Sequence, residues 1–246
     1  MYRFFVPEAV LKEDEVPLTG EVHHHLAVVL RLSVGDEILL LDGLGTLCHC
    51  RITGLQKKAG QATVLVRWQE PDTAFPIHLL QALPKGDKMD LILQKGTELG
   101  ISRFSPLFSR RSIPKLEPKR VEQRCQRWQR IVSEAARQSR RPLLPQIAAP
   151  RPLADALSDC REELRLMLWE DGSRPLTEAL PAKAPGSLAL LVGPEGGFST
   201  EEAHDATEAG FQPVHLGPRI LRSETAGFAV TAILQYRYGD LGPGIS

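Results

Sequence analysis

From Ile77 to the C-terminus, apolar runs of strand length alternate with segments of helical periodicity, and this alternation constrains the fold more than any other feature. Ile77–Leu83 reads as a strand, and Asp87 suits the cap of a helix that runs to Leu99 and stops at Gly100. Arg103–Phe108 reads as a further strand. Pro118 then opens a helix whose Val121, Cys125, Trp128, Val132 and Ala135 recur at amphipathic spacing. Leu164–Trp169, Leu188–Val192 and Phe211–Leu216 are again strand-like. Ser199-Thr200-Glu201-Glu202 is a capping-box pattern for a helix ending near Gly210, and a last helix spans about Glu224–Tyr238, before Gly239. Strands alternating with helices predict an α/β domain built on a mostly parallel sheet.

The first part of the chain has a different rhythm. Glu37–Leu41, Cys48–Ile52 and Ala62–Trp68 are β-prone runs separated by turn signals at Asp42-Gly43, Gly45, Gly54 and Gly60. Short strands with little helix predict a small barrel. Glu70-Pro71-Asp72 suits a linker, so the expected division is a β domain at 1–70 and an α/β domain at 74–246. No apolar run reaches the ~20 residues of a membrane helix, and Met1–Val10 lacks the pattern of a signal peptide, so a cytoplasmic protein with no membrane partner is expected.

The formal net charge of zero hides an asymmetry. Arg103–Arg151 holds 13 Lys/Arg against three Asp/Glu, whereas the rest of the chain holds 17 against 27. A basic stretch on an otherwise acidic protein is the electrostatic footprint of a polyanion partner, although a solvated helix face gives the same pattern. Arg120, Arg124, Arg127, Arg137, Arg140 and Arg141 are the candidates for phosphate contacts.

Two turns carry the chemistry. Gly193-Pro194-Glu195-Gly196-Gly197-Phe198 follows an apolar strand and precedes a capped helix. Its glycines let backbone approach a ligand closely, and strand C-termini of open α/β sheets are where ligands bind; a tight connection would also use such a turn. Leu216-Gly217-Pro218-Arg219-Ile220-Leu221-Arg222-Ser223-Glu224-Thr225-Ala226 also joins a strand to a helix, with more charge than a connection needs. Glu224 and Thr225 equally suit a first helical turn. Neither turn is a phosphate-binding P-loop, and no Gly-x-Ser-x-Gly or His-Glu-x-x-His occurs.

Other features read as structural. Asp42-Gly43-Leu44-Gly45 imitates a dinucleotide-binding turn, but a strand-like segment follows it, so a hairpin is the better reading. His23-His24-His25 would point in divergent directions on a regular element, so no metal is expected and RNA contact or packing is the alternative. Cys48, Cys50, Cys125 and Cys160 lack zinc-ribbon or thioredoxin spacing and read as buried reduced thiols.

These turns, with Leu168-Trp169-Glu170, resemble the cofactor segments of SPOUT methyltransferases. More narrowly the chain resembles the RsmE-type enzymes, which methylate uridine N3 in small-subunit (16S) ribosomal RNA near the decoding region. The matching stretches are His24–Leu32 with Gly35-Asp36, Gln94–Gly100, Ser133–Arg141, Gly193–Phe198 and Leu216–Ala226, in the family's order. Gly96 stands where many relatives have alanine. The resemblance implies a PUA-like β-barrel followed by a SPOUT α/β domain with a trefoil knot, a homodimer, and S-adenosyl-L-methionine as cofactor. It implies ribosomal RNA of the small subunit as partner, with assembled subunits the favoured substrate over naked RNA. It also implies that Leu168, Glu170, Gly193, Glu195, Gly196, Leu216, Gly217, Ile220, Leu221 and Ala226 line the cofactor pocket.

Methyl transfer to uracil N3 needs a free lone pair on a nitrogen with a solution pKa of about 9, so deprotonation at neutral pH costs roughly 3 kcal/mol. A cation that stabilises the anion and a carboxylate that takes the proton would lower that cost. Arg222 and Glu224 suit these catalytic roles, and Arg140 and Arg141 suit the uridine or a neighbouring phosphate. Ribose 2′-O methylation on the same fold and a non-catalytic RNA-binding module are the competing readings.

Overall fold

Ile77–Ala82 and Leu188–Val192 are buried at every position, as expected of central strands covered on both faces. The computed structural model describes residues 1–112, 118–171 and 173–242. The chain forms two units: Met1–Asp72 with Ala136–Leu144, and Thr73–Ala135 with Pro145–Ser246.

The first unit contains β1 (Tyr2–Phe5), β2 (Glu15–Leu18), α1 (Gly20–His24, continued by a wider turn over His25–Val29), β3 (Glu37–Leu41), β4 (Thr46–Leu55) and β5 (Gly60–Gln69). These strands form one mixed sheet in the order β1-β3-β4-β5-β2, with β1 parallel to β3 and the other pairs antiparallel. The β3–β4 connection is the expected hairpin. Asp42 Oδ1 accepts the Leu44 and Thr46 N–H groups at 2.7 and 3.0 Å, which fixes the turn. The histidine run lies on the helical segment. His23 is buried with Nε2 2.8 Å from the Gln56 carbonyl, and His25 packs edge-on against Phe4.

Ala136–Leu144 also belongs to this unit, and its bonds explain why. The Leu144 N–H donates to the Gly43 carbonyl at 2.9 Å, and Arg3 Nη1 donates to the Arg140 carbonyl at 2.7 Å. Arg141 hydrogen-bonds to the Asp72 carboxylate.

The second unit contains β6 (Ile77–Ala82), α2 (Lys88–Glu98), β7 (Ile101–Phe108), α3 (Pro118–Gln138, shared with the first unit), β8 (Gln146–Ile147), β9 (Arg151–Pro152) and α4 (Leu153–Asp159). It continues with β10 (Leu164–Leu168), β11 (Arg174–Pro175), α5 (Leu176–Ala179), β12 (Leu188–Val192), α6 (Thr200–Glu208), β13 (Gln212–His215) and α7 (Ser223–Tyr238). The sheet is parallel throughout, in the order β11-β13-β10-β12-β6-β7-β8, with β9 also beside β7. Alternate residues along each strand face opposite sides, so the sheet carries two cores. Leu79, Leu166, Leu190 and Val192 meet α2, α3, α5 and α7 through Ile92, Trp128, Leu176 and Val230. Leu80, Met167, Ala189 and Leu191 meet α4 and α6 through Leu153, Leu157, Ala203 and Ala206.

Most expected elements are present within a residue or two. Ser199 and Glu202 form the reciprocal capping box, with Ser199 Oγ accepting the Glu202 N–H at 3.2 Å and Glu202 Oε2 accepting the Ser199 N–H at 2.9 Å. Asp87 differs from expectation: it precedes α2, but its side chain caps nothing. Its φ of −96° and ψ of 14° depart from the extended backbone that aims an N-cap oxygen at the first helical N–H groups. All four cysteines are free. Among the described residues, no helix is long and apolar enough to cross a membrane.

A buried polar cluster ties β6, β7 and the segment before β10. His78 Nε2 lies 2.8 Å from Ser105 Oγ and Nδ1 lies 2.5 Å from Glu162 Oε1. Glu162 Oε2 accepts the Cys160 S–H at 2.9 Å and the Arg161 N–H at 3.0 Å. Burial pushes the Glu162 carboxyl up, but the Cys160 thiol, the His78 ring and backbone N–H groups outweigh it and hold the pKa at about 2. Burial pushes the His78 imidazole down, against the attraction of Glu162. Ser105 is wholly buried, so the group is a structural relay rather than a hydrolytic triad.

Candidate active site

In a parallel sheet every strand ends on the same edge, and ligand sites gather there. The neighbouring strands β13, β10, β12 and β6 place four turns on that edge. Three of them, after β10, β12 and β13, hold the expected cofactor and catalytic residues together with Leu168 at the end of β10 and Glu224 and Ala226 in the first turn of α7. The fourth, after β6, was not singled out in the sequence.

The turns after β12 and β13 are stitched together beneath the surface. Ser223, the first residue of α7, donates from Oγ to the Gly193 carbonyl at 2.5 Å. Gln81, near the end of β6, donates from Nε2 to Ser223 Oγ at 3.0 Å and to the Ala82 carbonyl at 3.0 Å. Its Oε1 is buried without a hydrogen-bond partner. Gly193 is buried, and a side chain there would press on the Phe198 ring at 3.3 Å, so glycine permits the turn to close. Gly217 has a φ of +102° and open space where a side chain would stand, and its N–H donates to His215 Nδ1 at 3.0 Å.

Apolar side chains flank these turns. Leu168, Leu216, Leu221 and Ala226 are half-buried, whereas Ile220 is 85% exposed. Glu170 is exposed on the turn after β10, which the Trp169 N–H anchors to the Val214 carbonyl of β13 at 3.2 Å. Gly196 is exposed, and its carbonyl accepts Arg111 Nη1 at 2.7 Å.

Glu195 is held in a latch by the β6–α2 connection. Its Oε1 accepts Lys88 Nζ at 2.9 Å and the Lys85 N–H at 3.1 Å, while Oε2 lies 3.3 Å from the same N–H. Burial raises the Glu195 pKa, but the Lys88 ammonium and backbone N–H groups lower it further, and the net direction is down. Lys88 is correspondingly raised, first by its hydrogen bond to Glu195. Lys88 Nζ also lies 3.6 Å from Glu224 Oε2, which has no hydrogen-bond partner of its own. The two turns therefore converge on one ammonium group. Arg222 is exposed at the N-cap of α7, with its charge felt by Lys88.

The six candidate RNA-binding arginines are distributed unequally. Arg120, Arg124 and Arg127 belong to the second unit, on α3. Arg120 is exposed, Arg127 pairs with Asp90, and half-buried Arg124 lines a hollow with Leu83, Met89 and Trp128. Arg137, Arg140 and Arg141 belong to the first unit. Arg140 is exposed with a φ of +62°, a strained value for a non-glycine residue, and Arg137 lies 3.5 Å from His25 Nε2. Arg141 departs from the expected phosphate contact, because it is only 7% exposed and its guanidinium is engaged by Asp72.

Sequence reasoning missed Gln81, Lys85, Lys88, Arg111 and Ser223. Two signals were available. Gln81 is a polar residue inside the otherwise apolar end of a strand, and Lys88 opens a helix, where the dipole disfavours a cation.

A family model described as an RNA methyltransferase domain matches residues 71–235, and one described as an RNA methyltransferase PUA domain matches residues 18–65. The fold is thus of the RNA methyltransferase class. The ribosomal RNA small subunit methyltransferase E of Bacillus subtilis is 32% identical over 96% of this chain and 97% of its own length. That of Synechocystis is 37% identical over 92% of this chain and 74% of its own. The crystal structure of ribosomal RNA small subunit methyltransferase E from Neisseria gonorrhoeae, bound to S-adenosyl methionine, is 36% identical with a TM-score of 0.90 over 98% of this chain and 99% of that one. A Legionella pneumophila methyltransferase in complex with SAM is 31% identical, with a TM-score of 0.88 over 97% and 98%. This chain belongs to the ribosomal RNA small subunit methyltransferase E family.

Proposed function

We propose that the protein transfers a methyl group from S-adenosyl-L-methionine to N3 of a uridine in small-subunit ribosomal RNA, near the decoding region. The observation that carries this reading is the convergence of two glycine-containing turns, after β12 and β13, on one edge of a parallel sheet, joined by Ser223 and Lys88. The S-adenosylmethionine-bound relatives support the choice of cofactor. The site suits it: the side-chain-free Gly217, half-buried Leu168, Leu216 and Leu221, and the unpartnered Gln81 Oε1 together offer apolar walls beside a polar atom.

When bound, the cofactor supplies an electrophilic methyl group on a positively charged sulfur. Gly193, Gly196, Gly217, Ile220, Leu221 and Ala226 shape the turns that hold it, with Leu168, Glu170 and Leu216 beside them, while Glu195 fixes the first turn from behind. Arg222 stabilises negative charge developing on the uracil, and Glu224 accepts the N3 proton. The target base must leave its stack to reach this edge, at a cost of a few kcal/mol. Arg120, Arg124, Arg127, Arg137 and Arg140 neutralise phosphates of the RNA.

The first 70 residues act as the RNA-gripping domain and residues 74–246 as the catalytic one, with a PUA-like barrel in the former and a trefoil knot in the latter. The PUA-domain match at 18–65 and the RNA methyltransferase match at 71–235 support this division, with residues 136–144 grouped with the first unit. The protein works in the cytoplasm on assembled subunits, as a homodimer. Tyr236 is 65% exposed on α7 one turn from exposed Ile233, an apolar face that a second copy would cover.

The test is to incubate small subunits from a methylation-deficient strain with the protein and cofactor, then digest the RNA for mass spectrometry. One uridine carrying a base methyl is expected, and Arg222→Ala and Glu224→Ala should bind cofactor while losing turnover. A ribose methyl would establish the 2′-O reaction instead, and normal turnover by both variants would remove the catalytic assignment.

A further inference from the structure

The turn after β6 contributes a residue that neither the family motifs nor the sequence pattern singled out. Lys88 is the first residue of α2, where the helix dipole repels a cation. A lysine there is stabilised only if carboxylates are brought to it, and two are. Glu195 arrives from the turn after β12 with Oε1 at 2.9 Å, and Glu224 arrives from the start of α7 with Oε2 at 3.6 Å. The Lys85 N–H adds a bond to each Glu195 oxygen, at 3.1 and 3.3 Å, so the cofactor turn is held by the β6–α2 connection at two points.

Fold stability does not account for the Lys88–Glu195 pair. Its side chains are 34% and 29% exposed, and ion pairs of that exposure contribute little to folding, whereas Glu224 is only 11% exposed. What the pairing fixes is position. Glu224 Oε2 has no hydrogen bond, so Lys88 is the cation that orients the carboxylate assigned to take the uracil proton. The same ammonium group adds a tie between the Gly193–Phe198 turn and the start of α7, beside the Ser223–Gly193 hydrogen bond.

We infer that Lys88 is a positioning residue of the methyl-transfer site, one cation that aligns the cofactor turn through Glu195 and the proton acceptor through Glu224. It rests on the function proposed above, and it makes a claim separable from it: cofactor affinity and turnover both respond to one residue outside the two motif turns.

The test compares Lys88→Met, Lys88→Arg, Glu195→Gln and Glu224→Gln, using calorimetry with S-adenosylmethionine and steady-state methylation of small subunits. Lys88→Met should raise the cofactor Kd roughly three- to tenfold and lower kcat at least about tenfold, with KM for RNA changed less than about twofold. Glu195→Gln should reproduce mainly the Kd effect and Glu224→Gln mainly the kcat effect. Lys88→Arg, which keeps the charge, should recover most of both. An unchanged Kd and kcat in Lys88→Met overturns the inference, as does a change confined to KM for RNA, which would make Lys88 a phosphate contact. Loss of the thermal transition in both Lys88 variants also overturns it, because the residue would then serve the fold. If the wild-type protein binds cofactor but methylates no subunit, the proposed function fails instead, and the Kd comparison still decides the role of Lys88 in the cofactor turn.

Discussion

Arg141 and Arg140 are adjacent in sequence and have opposite fates. Arg140 is exposed on a strained turn, whereas Arg141 is buried against Asp72 within the first unit. Removing one member of a buried ion pair leaves the other charge desolvated, so Arg141→Ala should lower stability by about 3 kcal/mol. Chemical denaturation measures it, and a stability loss below about 1 kcal/mol would make Arg141 a surface contact after all. Glu162 belongs to the same scale. Its pKa falls from 4.5 to about 2 on folding, so it stabilises the fold above pH 4.5, and that contribution is lost as the pH falls towards 2. His78, depressed by burial, loses its contribution in the same direction, beginning below 6.5. Unfolding curves over this acid range should steepen less in Glu162→Gln than in the wild type, and equal pH slopes would show that the buried relay carries no linkage. Residues whose partners are local were legible in the sequence: Ser199 with Glu202, and Asp42 with its own hairpin. Lys88 and Arg141 were not, because their partners lie over one hundred and nearly seventy positions away, at Glu195 and Asp72.

Elements were legible where one periodicity dominates. Leu188–Val192 and the amphipathic run of α3 were placed from apolar spacing alone, since burial on both faces or on one stripe leaves a direct pattern. Helix starts were less so, as Asp87 shows, because a capping residue works only with the backbone angles that aim it. The arginines of α3 give an element-scale expectation. If Arg120 and Arg124 neutralise phosphates, each alanine variant should weaken RNA binding uniformly across sequences and reduce the slope of log K against log salt by about one. A slope unchanged in both variants would assign the basic helix face to solvation instead.

At the scale of the whole molecule, strand and helix alternation implied a parallel sheet, but strand order was not readable. That order, β11-β13-β10-β12-β6-β7-β8, brings the turn after β6 beside the motif turns, and it depends on long-range pairing rather than local pattern. The sequence also presented residues 136–144 as part of a continuous basic segment, whereas their hydrogen bonds join them to the first unit. Family motifs identified the turns at 193–198 and 216–226; their physical connection through Gln81, Ser223 and Lys88 became visible only in three dimensions. The most direct measurement is a crystal structure of the protein soaked with S-adenosylmethionine. Cofactor density is predicted against the Gly193–Phe198 and Leu216–Ala226 turns, flanked by Leu168 and Ile220. Density elsewhere, or none beside those turns at saturating cofactor, would contradict the account.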